Sequence, residues 1–91
     1  MLHLVAYDIA SDRRLRRVAG ICEDYGLRVE KSVFECDLKD GDFNAMWKRL
    51  SEVVNPDVDR VIDYPIGMIS KEHIRELGQC VHCEKEQTYV F

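Results

Sequence analysis

Leu2-His3-Leu4-Val5-Ala6-Tyr7-Asp8-Ile9, followed at once by Ala10-Ser11-Asp12-Arg13-Arg14-Leu15-Arg16-Arg17, decides how the rest of the chain is read. In residues 2–9 both alternating sets are apolar: Leu2, Leu4 and Ala6 on one side, His3, Val5, Tyr7 and Ile9 on the other. A strand apolar on both faces is a central strand. Asp8 interrupts the Leu4/Ala6 side at the strand's end, and a helix crowded with arginines begins just after it. Cations in a first helical turn oppose the helix dipole, at a cost of roughly a few tenths of a kcal/mol each. Four arginines in so short a span therefore ask for an anion. The carboxylate points to a hard metal ion, the arginines to phosphate.

Moving outward, residues 12–25 read as a helix, with Leu15, Val18, Ala19, Cys22 and Tyr25 forming one apolar stripe. Ser11 or Asp12 suits the N-cap and Gly26 the C′ position. Arg13, Arg16 and Arg17 lie off the stripe and Arg14 at its margin. Residues 28–38 are extended but change phase. Val29 and Val33 share one parity, Phe34, Cys36 and Leu38 the other, which requires a bulge or tight reversal near Lys31-Ser32-Val33. Asp40-Gly41 reads as a turn. Residues 42–54 form a second amphipathic helix whose buried face is Phe43, Met46, Trp47, Leu50, Val53 and Val54, stopped by Asn55-Pro56. Residues 58–66 form a further strand, and Pro65 places its far end at an edge or outside the sheet. Ser70 can cap a short helical turn with Ile74 and Leu77, ended by Gly78. Residues 79–86 read as loop and Thr88–Phe91 as a short closing strand. The order predicts an α+β fold, a ferredoxin-like βαββαβ sandwich with an extra short C-terminal strand.

Ninety-one residues with 46% hydrophobic and 33% charged side chains make one globular domain. A chain of this size buries only about two-thirds of its unfolded surface, so a subunit interface would supplement a thin core. The net charge of −4 excludes a generally basic nucleic-acid binder and leaves a local patch as the alternative. No signal segment and no membrane-length apolar run is present, so a cytoplasmic location with reduced thiols is expected. Cys22 and Cys36 fall inside periodic segments and read as small core residues.

Tyr7-Asp8-Ile9, the arginine-rich helix start, Tyr25-Gly26-Leu27-Arg28-Val29 and Ser32-Val33-Phe34-Glu35 together resemble the small CRISPR-associated adaptation protein family. The resemblance covers residues 1–66 and, beyond them, the closing strand. It implies a single domain over residues 1–91, with a core of about 1–66 and a tail of about 67–91 whose last strand joins the partner subunit. It implies a ferredoxin-like homodimer, the central dimer of a spacer-acquisition complex clamped between dimers of the CRISPR-associated integrase. Some members are metal-dependent endonucleases acting on single-stranded RNA or double-stranded DNA. Carried over residue by residue, Asp8 matches the metal-binding carboxylate and Tyr7 its neighbour. Arg17, Arg28, Ser32 and Phe34 match positions associated with activity. Glu30 stands where the family pattern has glutamine and adds a negative charge.

Each motif also has a plainer reading. Asp8 can cap the turn that follows it. As a metal ligand it is a single carboxylate, whereas Mg²⁺ takes one or two carboxylates with waters and phosphate oxygens. A two-fold axis near Asp8 would supply the second carboxylate, so that one Mg²⁺ is shared across the dimer. Arg13, Arg14, Arg16, Arg17 and Arg28 suit nucleic-acid phosphates. Alternatively, the helix arginines are a solvated face paired with Glu23, Asp24 or a partner. Tyr7 and Phe34 are core aromatics or stacking platforms for bases. Ser32 is a turn or bulge residue rather than a nucleophile, because no general base is placed beside it. Cys80-Val81-His82-Cys83, with His73 upstream, has the residue types of a zinc site, but a single Cys-x-x-Cys is a weak signal and the stretch reads as an ordinary loop before the last strand. Three functions remain: an acquisition-complex adaptor, a Mg²⁺-dependent endonuclease, and a generic ferredoxin-like binding domain.

Overall fold

The computed structural model describes residues 1–67, 73 and 75–78. Thr88–Phe91, the tetrad Cys80-Val81-His82-Cys83, and Ser70 and Ile74 of the expected short helical turn lie outside the described residues. The order is β1 (Leu2–Asp8), α1 (Asp12–Tyr25), β2 (Leu27–Glu30), β3 (Val33–Asp37), α2 (Asp40–Val53) and β4 (Arg60–Gly67). The strands make one sheet in the order β2-β3-β1-β4, every neighbouring pair antiparallel. This is the βαββαβ plan expected from the pattern, with β1 central.

One face of the sheet carries both helices. Val5 and Tyr7 of β1 and Phe34 and Cys36 of β3 meet Val18, Ile21 and Cys22 of α1 and Met46 and Leu50 of α2, while the buried His3 stacks on Phe43 of α2 at 3.9 Å. The other parity of β1, which includes Leu4, Ala6 and Asp8, faces away. Opposite those residues stand Val33 and Glu35 on β3 and Arg60, Ile62 and Tyr64 on β4. Among the described residues no helix covers that second face.

The phase break resolves into a tight reversal and a bulge. Lys31 and Ser32 form the turn of the β2–β3 hairpin. The ladder pairs Arg28 with Phe34 and Glu30 with Val33, leaving Val29 as the extra residue. Arg28 thereby shares the helix-facing side with Phe34. The hairpin is tied to the central strand by the Tyr7 N–H, which donates to the Ser32 carbonyl at 3.1 Å.

Three expectations are corrected. Asp40-Gly41 is not a turn but the start of α2, because Asp40 and Asp42 in the first turn complement the helix dipole. Gly26 ends α1 at φ −154°, extended rather than left-handed. Its glycine requirement is steric: a Cβ there would fall 2.6 Å from Cys36 Sγ and closer still to the Glu35 carbonyl oxygen. Trp47 is 37% exposed and lies outside the core, its ring stacked beside that of Phe43 at a separation of 5.7 Å.

Pro65 sits on β4, which among the described residues is an edge strand paired with β1 alone, so its missing N–H breaks no second ladder there. Gly67 closes the strand at φ +83°, where a side chain would be strained. The strand begins at Arg60 rather than residue 58, because Asn55 folds residues 55–59 back on themselves. Its carbonyl accepts from Val58 and Asp59, and its side chain accepts from the Asp57 N–H.

Candidate active site

Asp8 is the last residue of β1. It is exposed, on the helix-free parity, and opposite Arg60 across the β1–β4 ladder. Among the described residues no hydrogen bond or ion pair to its carboxylate occurs, so the plainer reading of Asp8 as a turn cap finds no support. That duty falls to Ser11, whose Oγ accepts from the Arg14 N–H at 3.3 Å.

The loop after Asp8 is held from below. Asp59 has a fully buried side chain. It accepts from Arg14 Nε at 2.7 Å and Arg14 Nη2 at 3.1 Å, and also from the backbone N–H groups of Ala10 and Asn55. The Arg14 guanidinium and these amide donors hold the Asp59 carboxyl well below the usual carboxylate range. Arg14 is thus a staple between the start of α1 and the loop before β4. Its guanidinium is committed to Asp59 rather than presented to a phosphate.

A cleft of about 480 Å³ opens beside Asp8, between the end of β1, the flank of α1 that carries Leu15, Arg16 and Ala19, and the β2–β3 hairpin. Arg16, Arg28 and Lys31 supply its cations. Tyr7, Asp8 and Ser32 line the strand side, and Ile9, Leu15 and Ala19 form an apolar wall. The hairpin that looks like a mere phase break in the sequence therefore carries Arg28, Lys31 and Ser32 to the carboxylate that ends β1. Ser32 Oγ has no activating base among the described residues, in keeping with its reading as a turn residue.

Arg28 is precisely the residue that the packing immobilises most among these cations. Its guanidinium carbon lies 5.1 Å from the centroid of the Phe34 ring. Nη1–H donates to the Lys31 carbonyl at 3.4 Å, and Nη2 is 4.0 Å from Glu23 Oε1. Phe34 is fully buried and Tyr7 is 7% exposed, their rings stacked at 6.2 Å. Both belong to the core, and Phe34 is closed to a base. Phe34 reaches the cleft only through the guanidinium it supports.

The other arginines diverge. Arg13, Arg16 and Arg17 are exposed, and Arg17 faces away from the cleft. It lines a groove between α1 and α2 of about 440 Å³, with Arg49, Asp24 and Glu52. The expected pairing of the helix arginines with Glu23 and Asp24 is not what forms: Asp24 binds Arg49 at 3.0 Å and Glu23 faces Arg28. Sequence reasoning missed Lys31 and Asp59. Lys31 carries a signal, as the tip of the hairpin, whereas nothing local marks Asp59 as the partner of an arginine 45 residues away.

Among the described residues no group of three or more His, Cys, Asp or Glu side chains gathers to hold a metal. His73 is exposed. Asp8 brings one exposed carboxylate to the cleft, and Mg²⁺ takes only one or two from a protein.

The profile of the family described as CRISPR associated protein Cas2 matches residues 1–74. The chain belongs to the Cas2 family. It is 43% identical over 66 residues to the CRISPR-associated endoribonuclease Cas2 3 of Synechocystis, with 72% of each chain covered. It is 35% identical over 83 residues to the CRISPR-associated endoribonuclease Cas2 1 of Moorella thermoacetica, with 86% of each covered. Among solved structures it is similar to Streptococcus pyogenes Cas2 at pH 6.5, with a TM-score of 0.75 and 35% identity over 86% of this chain and 100% of that one. A hypothetical protein from Thermus thermophilus superposes at a TM-score of 0.77 with 31% identity, covering 91% and 96% of the two chains. The family match includes every described strand and both helices, and so contains Asp8, the hairpin and the cleft between them. Among the described residues no helix is long and apolar enough to cross a membrane.

Proposed function

We propose that this protein is a homodimeric subunit of CRISPR spacer acquisition that binds nucleic-acid phosphates and carries a Mg²⁺-dependent phosphodiesterase activity centred on Asp8. The observation that carries the reading is the free carboxylate of Asp8 at the mouth of a cleft bearing Arg16, Arg28 and Lys31. The names of the Synechocystis and Moorella relatives, both endoribonucleases, support it.

In this reading the helix-free sheet faces of two copies pack together and bring two Asp8 carboxylates to one axis. Mg²⁺ held between them would lower the pKa of a bound water and offset charge on the scissile phosphate. The chain's own residues do the rest. Arg16 and Lys31 hold the backbone by its phosphates. Arg28, kept in place by Phe34 and the Lys31 carbonyl, presents a fixed charge to the same strand. Thr88–Phe91 would extend the partner's sheet edge, and the dimer would sit between integrase dimers.

A second reading, a non-catalytic adaptor in the same complex, is favoured by one fact: among the described residues the cleft is lined by a single carboxylate, Asp8, and Ser32 Oγ has no base bonded to it. Cleavage of single-stranded RNA and duplex DNA by wild type and Asp8→Asn, across Mg²⁺ concentration and neutral to alkaline pH, separates the two. Activity lost in Asp8→Asn with fold and dimer intact supports the nuclease. Activity in neither protein leaves the adaptor. Activity surviving in the variant overturns the role of Asp8.

A further inference from the structure

The cleft beside Asp8 contains more than phosphate binding requires. A surface that only gripped a sugar–phosphate backbone would need cations and hydrogen-bond donors. Here the cations are joined by Ile9, which follows β1, and by Leu15 and Ala19, one helical turn apart on the same face of α1. These three pack against the core from one side and line the cleft from the other. An apolar wall with a few placed polar groups, in a volume of about 480 Å³, has the build of a small-molecule site, for which roughly 300–1,000 Å³ is usual.

We propose that this cleft is a nucleotide subsite, in which one unstacked base seats against Ile9, Leu15 and Ala19 while its 5′-phosphate meets Arg16 and Lys31. The inference rests on the phosphodiester reading above and adds to it a place for the base itself. Bases taken out of a stack are commonly held against aromatic or apolar side chains. Tyr7 is too buried to offer its ring face, so the contact is with aliphatic carbon and carries little preference among bases. A paired base inside a duplex cannot reach the wall, so the subsite distinguishes unpaired from duplex strands. The cleft is formed in advance of any ligand. The Tyr7 N–H fixes Ser32, Phe34 and the Lys31 carbonyl fix Arg28, and the Arg14–Asp59 staple fixes the start of α1. Walls that are already ordered cost less entropy on binding.

Calorimetric titration of the full chain with AMP, UMP, adenosine, uridine and inorganic phosphate, at low salt, tests this. Both nucleotides are expected to bind at least about tenfold more tightly than phosphate or either nucleoside, because base and phosphate are engaged together. Ala19→Phe fills the apolar wall and should abolish that advantage while salt-dependent affinity for duplex DNA persists. Lys31→Glu, at an exposed hairpin tip remote from the core, should weaken nucleotide binding by a similar factor and decides the matter if Ala19→Phe does not fold. Equal affinity for nucleotide and inorganic phosphate, or nucleotide affinity unchanged in Lys31→Glu, overturns the subsite. The titration is independent of cleavage: a loss of cleavage in Asp8→Asn with no nucleotide preference would sink the subsite and keep the nuclease. The reverse result would keep the subsite and sink the nuclease.

Discussion

A single carboxylate, Asp59, does for the loop after β1 what no local sequence signal announces. It is buried, bonded twice by Arg14, and capped by two backbone donors. Because its folded pKa is depressed, its contribution to stability is fully present above the unfolded value of about 3.9 and is lost as pH falls through the lower folded value. Asp59→Asn should therefore melt below wild type at neutral pH, with the gap closing only under acid conditions below about pH 4. Thermal melts across that range check this; a gap that does not change with pH would show that the charge plays no part. The thiols behave in the opposite sense. Burial pushes Cys22 and Cys36 each up to about 12. The unfolded chain loses those protons from about pH 8.5, so stability should fall as pH rises from there toward 12. Below that range, Cys22 and Cys36 of the native protein should resist thiol reagents that label them in the unfolded chain. Rapid modification of Cys22 or Cys36 in native protein at neutral pH, read by peptide mapping, would contradict this.

At the scale of elements, two glycines separate what pattern reveals from what packing adds. Gly20 lies within α1, and a Cβ there would meet nothing within 4 Å. Gly20→Ala should stabilise the domain by up to about 1 kcal/mol through helix propensity alone. Gly26→Ala should destabilise it by about 1–3 kcal/mol, because the new methyl collides with Cys36 Sγ and the Glu35 carbonyl. Denaturant unfolding of the pair, with opposite signs expected, is the check. The same division explains what was legible beforehand. Periodicity marked α1 and β1, and the parity switch around Lys31-Ser32 marked the hairpin, since both follow from local alternation. The start of α2 was hidden because Asp-Gly is equally good turn chemistry. The dispersal of Arg14, Arg16 and Arg17 to a staple, a cleft and a second groove was hidden because it depends on where β4 and α2 pack. Asp8 was legible as a carboxylate ending a central strand. That its neighbours in space would include Lys31 was not, because the hairpin's fold over α1 is a tertiary fact.

For the whole molecule the decisive surface is the sheet face that no described helix covers. Leu4 faces Tyr64 on one side and Glu35 on the other, and Ala6 faces Ile62 and Val33, with Tyr64 half exposed, so the strip is apolar apart from Glu35. An apolar strip of this kind across a central strand suits a second copy of itself, and the proposed dimer places it there. Ile62→Lys should convert the dimer to a folded monomer by sedimentation, since a lysine at the centre of a two-fold interface meets its own charge. A dimer unchanged by Ile62→Lys would move the interface elsewhere. The same axis bears on the metal. Two Asp8 carboxylates brought together repel one another when no cation lies between them. Asp8→Asn removes both charges, so without metal the variant should melt no lower than wild type. Mg²⁺ binds only the folded dimer in this arrangement, so it should raise the melting temperature of wild type in a concentration-dependent way. It should leave Asp8→Asn unmoved. Melting curves of both proteins across a Mg²⁺ series read this without any nuclease substrate. A wild type indifferent to millimolar Mg²⁺ would rule out a shared ion at Asp8, and with it the arrangement that makes a single carboxylate per chain sufficient for catalysis.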